Sequence, residues 1–315
     1  MFQRPVITRL RGIGVLTLAL VALVGGVACG RVDARADSTS AAAIQVTDDA
    51  GVSVKLAAPA QRVISLIPSA TETLIALGAT KQIVGRTRYD VAPEVASLPS
   101  VGGGIDPSAE AIVALHPDLV IAWANDKRQA IRERLVSLNV PVFILRTEDT
   151  TDIFRGISSI GHLTGHDSAA KAISTSMRES LDSVRRSVAS LPPRKMMYVE
   201  FAEPPMTIGS RTFIGQLVAL AGGQSVFADL DQLWPNVSME EVVRRDPDLL
   251  VVPVGEFRQN ALEQFRLMAG WRDLRAVREG HVVAVPADLL SRPSPSIAEA
   301  ARVLRSAMHP EVATK

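Results

Sequence analysis

Near the middle of the chain Ile173, Met177, Leu181, Val184, Val188 and Leu191 recur at spacings of 4, 4, 3, 4 and 3, with no strand pattern between them. Such spacings keep side chains on one face of a helix, so the stretch is expected to form a long amphipathic helix with one stripe to bury. Asp167, just after Gly165, is placed to cap it, and Pro192-Pro193 stops it because proline lacks the N–H and clashes with the preceding turn. A helix of about 24 residues is about 36 Å long. A rod of that length divides the chain into an N-terminal and a C-terminal part and is long enough to connect two lobes.

Both flanks alternate strands with helices. On the N-terminal side, residues 44–47 and 52–56 alternate with period two around Asp48-Asp49-Ala50-Gly51, the signal of a β-hairpin. Residues 62–67 form a buried-strand run, followed by Pro68 and by Ser69-Ala70-Thr71-Glu72, whose S-x-x-E spacing suits a capping box of a helix running to about Gly78. Further strands fall at 83–85, 119–122 and 141–145, with a helix near 109–115. On the C-terminal side strands are expected at 196–201, 249–253 and 282–285, with helices near 213–221, 238–245, 261–267 and 297–308. This order specifies α/β architecture: two lobes with mostly parallel sheets, at 44–151 and 192–315, joined by a helical interlobe segment at 152–191.

The N-terminus carries targeting information. Arg4, Arg9 and Arg11 precede an apolar run at 13–28 that ends in small residues, the pattern of a signal peptide. The run is shorter than the roughly 20 residues a bilayer span needs, and polar rather than basic sequence comes after it. Cys29, the only cysteine, follows Gly26-Val27-Ala28 and resembles the lipidated cysteine of a bacterial lipobox, with Gly26 where a large aliphatic residue is usual. A lone cysteine makes no internal disulfide. Residues 29–43 are then expected to be the lipidated cysteine and a polar, flexible tether.

Composition narrows the function. Lys and Arg total 34 against 33 Asp and Glu, a net charge of +1, which gives no electrostatic footprint for nucleic acid. Of the five histidines only His162 and His166 have an i, i+4 spacing, and Gly165 between them argues against a shared helical face. No H-E-x-x-H, G-x-S-x-G or phosphate-binding glycine loop is present, which leaves a metallohydrolase as a remote alternative and no catalytic or metal-binding residue to nominate. Aromatic residues are only 4% of the chain, so Trp123, Trp234 and Trp271 each carry weight. Trp271, in Met268-Ala269-Gly270-Trp271, suits a helix-end anchor.

An internal echo is the most informative motif. Residues 108–121 (SAEAIVALHPDLVI) match 238–251 (SMEEVVRRDPDLLV) at a constant offset, one copy in each lobe. Each copy puts a serine at an N-cap and a glutamate, Glu110 or Glu240, in the first turn, where the helix dipole favours a carboxylate. Two readings are open: duplicated helix-start chemistry, or one carboxylate per lobe presented to a two-fold symmetric partner.

Together RVISLIPSATE at 62–72, EAIVALHPDLVIAW at 110–123, FIGQLVALAGG at 213–223 and WPNVSME at 234–240 resemble the helical-backbone periplasmic binding proteins that deliver cobalamin, ferric siderophores or haem to ABC importers. The resemblance covers 44–308. It implies two lobes joined by one rigid helix, ligand held between them, a monomer without a resident cofactor, and docking of Glu110 and Glu240 on arginines of a permease dimer. The chain is most similar to the cobalamin binders, which implies a corrinoid ligand against Trp123, Trp234 and Phe201; ferric siderophore or haem is the alternative. Those proteins have a further cleft aromatic where this chain has Gly102-Gly103-Gly104. Tyr89 and Arg292 fall in loops that the family points at the ligand, though both also suit ordinary solvated loops.

The anchor is directly testable. If Cys29 carries lipid, Cys29→Ala moves the protein from the membrane fraction to the soluble extracytoplasmic fraction on cell fractionation, because retention depends on the acyl chains; unchanged membrane association defeats the reading.

Overall fold

The computed structural model describes residues 43–104, 106–124, 129–255 and 260–312. The signal peptide, Cys29 and nearly all of the tether lie outside the described residues. Among the described residues no helix is long and apolar enough to cross a membrane.

An antiparallel hairpin, β1 (Ile44–Thr47) and β2 (Ser53–Leu56), opens the fold. The Asp48 carboxylate builds its turn by accepting the N–H groups of Ala50 (3.0 Å) and Val52 (2.8 Å). The same carboxylate accepts from Arg132 and from the Ile144 N–H, which pins the hairpin to the first lobe. That lobe runs β3 (Val63–Ser65), α1 (Pro68–Ala76), β4 (Ile83–Gly85), α2 (Ala109–Ala114), β5 (Leu119–Trp123), α3 (Gln129–Ser137) and β6 (Val142–Leu145). Two connecting helices come next, α4 (Thr150–Thr164) and α5 (Asp167–Val188). The second lobe runs β7 (Arg194–Tyr198), β8 (Phe201–Ala202), β9 (Pro205–Met206), α6 (Phe213–Leu220), β10 (Gly223–Ser225), α7 (Met239–Arg245), β11 (Leu249–Val254), α8 (Ala261–Leu267), α9 (Arg275–Arg278), β12 (Val282–Pro286), α10 (Ala287–Ser291) and α11 (Ile297–Met308).

The main sheet of each lobe is parallel, in the orders β4-β3-β5-β6 and β10-β7-β11-β12. In chain order both read second, first, third, fourth, so the echo is a fragment of a repeated topology. Because both faces are covered, the central strands are apolar apart from Ser65 of β3 and Arg194 and Lys195 at the start of β7, and alternation distributes their side chains between two cores. Val63, Leu119 and Ile121 of the first lobe join Met196, Tyr198, Leu249 and Val251 of the second in one cluster around α4, α5, α6 and α11. The opposite faces pack privately: Ile64, Val120 and Ala122 beneath α2 and α3, and Met197, Leu250 and Val252 beneath α7 and α8.

The helix α5 has 22 residues and buries Ala170, Ser174, Met177, Leu181, Val184 and Val188. Asp167 is not its N-cap: that position is His166, without a side-chain cap bond, and Asp167 lies in the first turn, with its carboxylate 3.1 Å from His162 Nδ1. The reason is the preceding helix, which ends at Gly165 with φ 76° and leaves no room for a longer cap. A Cβ at Gly161 would lie 2.5 Å from the Ala170 Cβ, so small residues let α4 and α5 pack backbone to backbone. The capping box expected at Ser69 is also absent: α1 begins two residues earlier than that cap requires, at Pro68, with Ile67 at the N-cap. Pro68 suits the first helical turn because its missing N–H needs no partner there, and Glu72 is released for another contact.

If α5 carries the shared core, Leu181→Ala lowers unfolding free energy by about 2–5 kcal/mol in urea titration while both lobes still unfold in one transition. Separate transitions for the lobes would show that the core is not shared.

Candidate interlobe binding cleft

Parallel α/β sheets bind ligands outside the carboxyl ends of their strands, where helix and loop backbones diverge. Here both sheets contribute such ends to one cavity of about 560 Å³. From the first lobe come Leu66 to Ser69 after β3, Tyr89 after β4, Trp123 at the end of β5, and Thr147 and Glu148 after β6. From the second come Glu200 after β7, Thr212 and Phe213 at the start of α6, Trp234 after β10, and the segment from Asp288 to Pro293 after β12.

Trp123 and Trp234, one from each lobe, remain 41% and 42% exposed, far more than a packed tryptophan needs. Backbone bonds hold the Trp234 loop: Gly209 N–H donates to the Leu233 carbonyl, Thr207 N–H to that of Pro235, and Val237 N–H to that of Pro205. A Cβ at Gly209 would sit 2.0 Å from the Gln232 carbonyl oxygen, so that approach requires glycine. Trp271 is of another kind. It is buried, stacks on Phe265 at 4.7 Å, and donates its indole N–H to the Ala202 carbonyl at 3.2 Å, fixing the chain after α8.

Phe201 does not join the cleft. β7 ends at Tyr198 rather than continuing through 201, and strand alternation together with the turn into β8 sends Glu200 to the cavity. Phe201 instead lines a separate 280 Å³ pocket with Phe265 and Met268. The glycine run explains why no further aromatic stands on this wall. A Cβ at Gly104 would be 2.4 Å from the Leu66 carbonyl oxygen, and one at Gly103 would be 3.3 Å from Cε2 of Tyr89. The tight approach to the β3 exit leaves no room for a side chain, and the Tyr89 ring covers the adjoining space.

Polar residues order the floor. The N-terminus of α4 is capped by Asp149, which accepts from Asp152 N–H at 2.8 Å, and by Gln216 of α6, which accepts from Thr150 N–H at 3.0 Å. Phe213 N–H donates to the Glu148 carbonyl at 2.7 Å, a second bond from lobe to lobe. Burial pushes the Asp152 carboxyl up, but hydrogen bonds from Arg146, Arg155 and the Glu148 N–H outweigh it and hold the group below the ordinary carboxylate range. Arg292 reaches across the cleft: its Nη1 donates to Glu72 Oε1 of α1 at 2.8 Å, and its Nη2 lies 3.2 Å from Asp288 Oδ1. Spacing marked Glu72 only as a capping-box residue and gave no signal for Glu148, Glu200 or Asp288, to which only the strand-end rule points.

The two echo segments fold alike. Ser108 Oγ accepts the Ala111 N–H at 3.1 Å, and Ser238 Oγ the Glu241 N–H at 3.2 Å. His116 and Asp246 both take positive φ, 46° and 41°, before their prolines. Asp118 then accepts the N–H groups of Gln61 and Arg62, and Asp248 pairs with Arg275. Glu110 and Glu240 lie outside the cleft, exposed in the first turns of α2 and α7. Glu110 has Arg134 at 3.8 Å. Glu240 is held below the ordinary carboxylate range by its own N–H and by Ser238.

Residues 63–289 match the family model described as periplasmic binding protein. The chain belongs to that family. A cobalamin-binding protein of Halobacterium salinarum is 30% identical over 304 residues, 93% of this chain and 82% of that one. Among solved structures, the periplasmic vitamin B12 binding protein of Vibrio cholerae superposes with a TM-score of 0.68 at 27% identity, covering 82% of this chain and 99% of its own. A possible iron-binding, periplasmic solute-binding protein of Staphylococcus epidermidis gives 0.71 at 26% identity, covering 80% and 100%. These relatives are named for binding, and the family places its members outside the cytoplasm.

If the exposed tryptophans form the ligand walls of this family member, Trp123→Ala and Trp234→Ala each weaken binding by about 1–3 kcal/mol in calorimetric titration without loss of fold. Unaltered affinity in both variants removes them from the site.

Proposed function

We propose that this chain is the substrate receptor of an ABC importer, that it captures a corrinoid of the cobalamin type between its lobes, and that a lipid on Cys29 tethers it to the membrane. The observation that supports the ligand most directly is the pair of half-exposed indoles, Trp123 and Trp234, on opposite walls of a cavity of about 560 Å³. Flat apolar rings contributed by both lobes suit a large, rigid macrocycle, and Tyr89 with Arg292 adds donors for its polar rim. The similarity to cobalamin-binding proteins along most of the chain points the same way. A ferric chelate is the second reading, favoured by the likeness to the Staphylococcus epidermidis protein. Binding needs no resident cofactor, and one copy of the chain contributes both walls, so the receptor acts as a monomer.

Transfer requires a second surface. Glu110 and Glu240 occupy equivalent, exposed positions in a repeated topology, as docking on arginines of a permease dimer requires. Single rim ion pairs are worth only about 0.2–1 kcal/mol, so charge reversal at both positions is the sharper perturbation. The variant Glu110→Arg with Glu240→Arg is expected to bind ligand with unaltered affinity in titration but to lose uptake and co-purification with its permease. Normal transport by that variant excludes the docking role.

A further inference from the structure

Among the described residues lining the cleft, Arg292 is the only cationic side chain, whereas Glu148, Glu200 and Asp288 bring carboxylates. An arginine facing a ligand would ordinarily mark an anion site, since its planar fork matches carboxylate and phosphate. Here that charge is already engaged. Nη1 donates to Glu72 at 2.8 Å across the lobes and Nη2 faces Asp288 at 3.2 Å, with the guanidinium side chain only 18% exposed and that of Glu72 28%. A partly buried ion pair is screened less than a surface one, so an incoming anion must compete with carboxylates held in place by α1 and α10. A guanidinium has five N–H donors, so the charge-compensated fork can still donate to neutral carbonyls.

We propose that Glu72 masks Arg292 and thereby sets the charge specificity of the cleft: it admits neutral or cationic, amide-bearing metal chelates and discriminates against polyanionic ones. This deepens the corrinoid reading, since corrinoids carry uncharged amide side chains around the ring, but it rests on the ion pair and on the acidic lining rather than on the tryptophan walls. Haem, with its propionates, and ferric tris-catecholates would bring further negative charge against Glu148 and against the Glu72–Arg292–Asp288 cluster, in which two carboxylates face one guanidinium. Like charges in a partly desolvated cleft are costly, whereas an amide rim loses little.

The test is titration of the full extracytoplasmic chain with cyanocobalamin, haemin, a ferric tris-catecholate and a cationic ferric trihydroxamate, for the wild type and for Glu72→Gln and Asp288→Asn. Folding of each variant is checked by thermal melting. The wild type is expected to bind cyanocobalamin at least roughly tenfold more tightly than haemin or the tris-catecholate, and Glu72→Gln to raise the haemin-to-cobalamin affinity ratio by roughly tenfold as Arg292 is unmasked. Asp288→Asn moves the ratio in the same direction and serves if Glu72→Gln does not fold. Equal wild-type affinity for cobalamin and haemin, or a ratio unmoved in a folded variant, overturns the masking proposal and leaves the corrinoid reading in place. Binding of the cationic trihydroxamate with no binding of cyanocobalamin does the reverse: it removes the corrinoid reading and upholds the charge rule.

Discussion

The shared apolar core around α4 and α5 is the constraint on which the rest of the molecule depends. Each sheet has two faces to cover. One is sealed within its own lobe, and the other belongs to a single apolar cluster that takes in α4, α5, α6 and α11 together with the inner face of the neighbouring sheet. The close approach of α4 and α5 at Gly161 and Ala170 makes that pair a single stiff unit. Lobes packed on one rigid body have little freedom to swing without opening apolar surface to water. The cleft therefore lies between walls whose spacing is set by core packing, a largely preformed surface.

On that frame the cleft is assembled from strand ends. Parallel sheets point their carboxyl termini the same way, and connections leaving those termini carry Tyr89, Trp123, Glu200, Trp234 and Asp288 into one cavity. Glycines govern how closely these loops approach. Gly104 allows the loop to lie on the Leu66 carbonyl, and Gly209 does the same at Gln232. Among the described residues, the bonds that cross from lobe to lobe at Phe213 with Glu148, Gln216 with Thr150 and Arg292 with Glu72 lie at or beside the cleft floor. Polar contacts thus register the lobes at the cleft, while apolar contacts hold them together behind it.

The echo shows how much of a repeated motif folding itself uses. Its serines cap helices, its prolines follow left-handed residues, and its second aspartates tie down neighbouring chain. All of this would be retained for folding alone. The glutamates are different, because neither is needed to complete a cap: the Ser108 and Ser238 hydroxyls already do so. The first-turn position suits the helix dipole, which favours a carboxylate there, and exposure in both copies is compatible with the docking proposed above.

Much was legible in the chain itself. Period-two alternation, continuous apolar runs and three-four spacing are local signals, and they gave the longer strands, though not β8 to β10, the long amphipathic helix and the repeated α/β order, because backbone geometry converts spacing directly into faces. Trp123, Trp234, Tyr89 and Arg292, singled out through the family resemblance, all line the one cavity between the sheets. What the tertiary structure alone decided are relations between distant residues: that α4 folds back on α5 and displaces the expected Asp167 cap, that Pro68 rather than Ser69 opens α1, and that Phe201 turns into a neighbouring pocket while Glu200 enters the cleft. Above all it paired Glu72 with Arg292, which lie 220 residues apart. No local pattern encodes such a contact, because it exists only once the shared core has fixed where one lobe stands against the other.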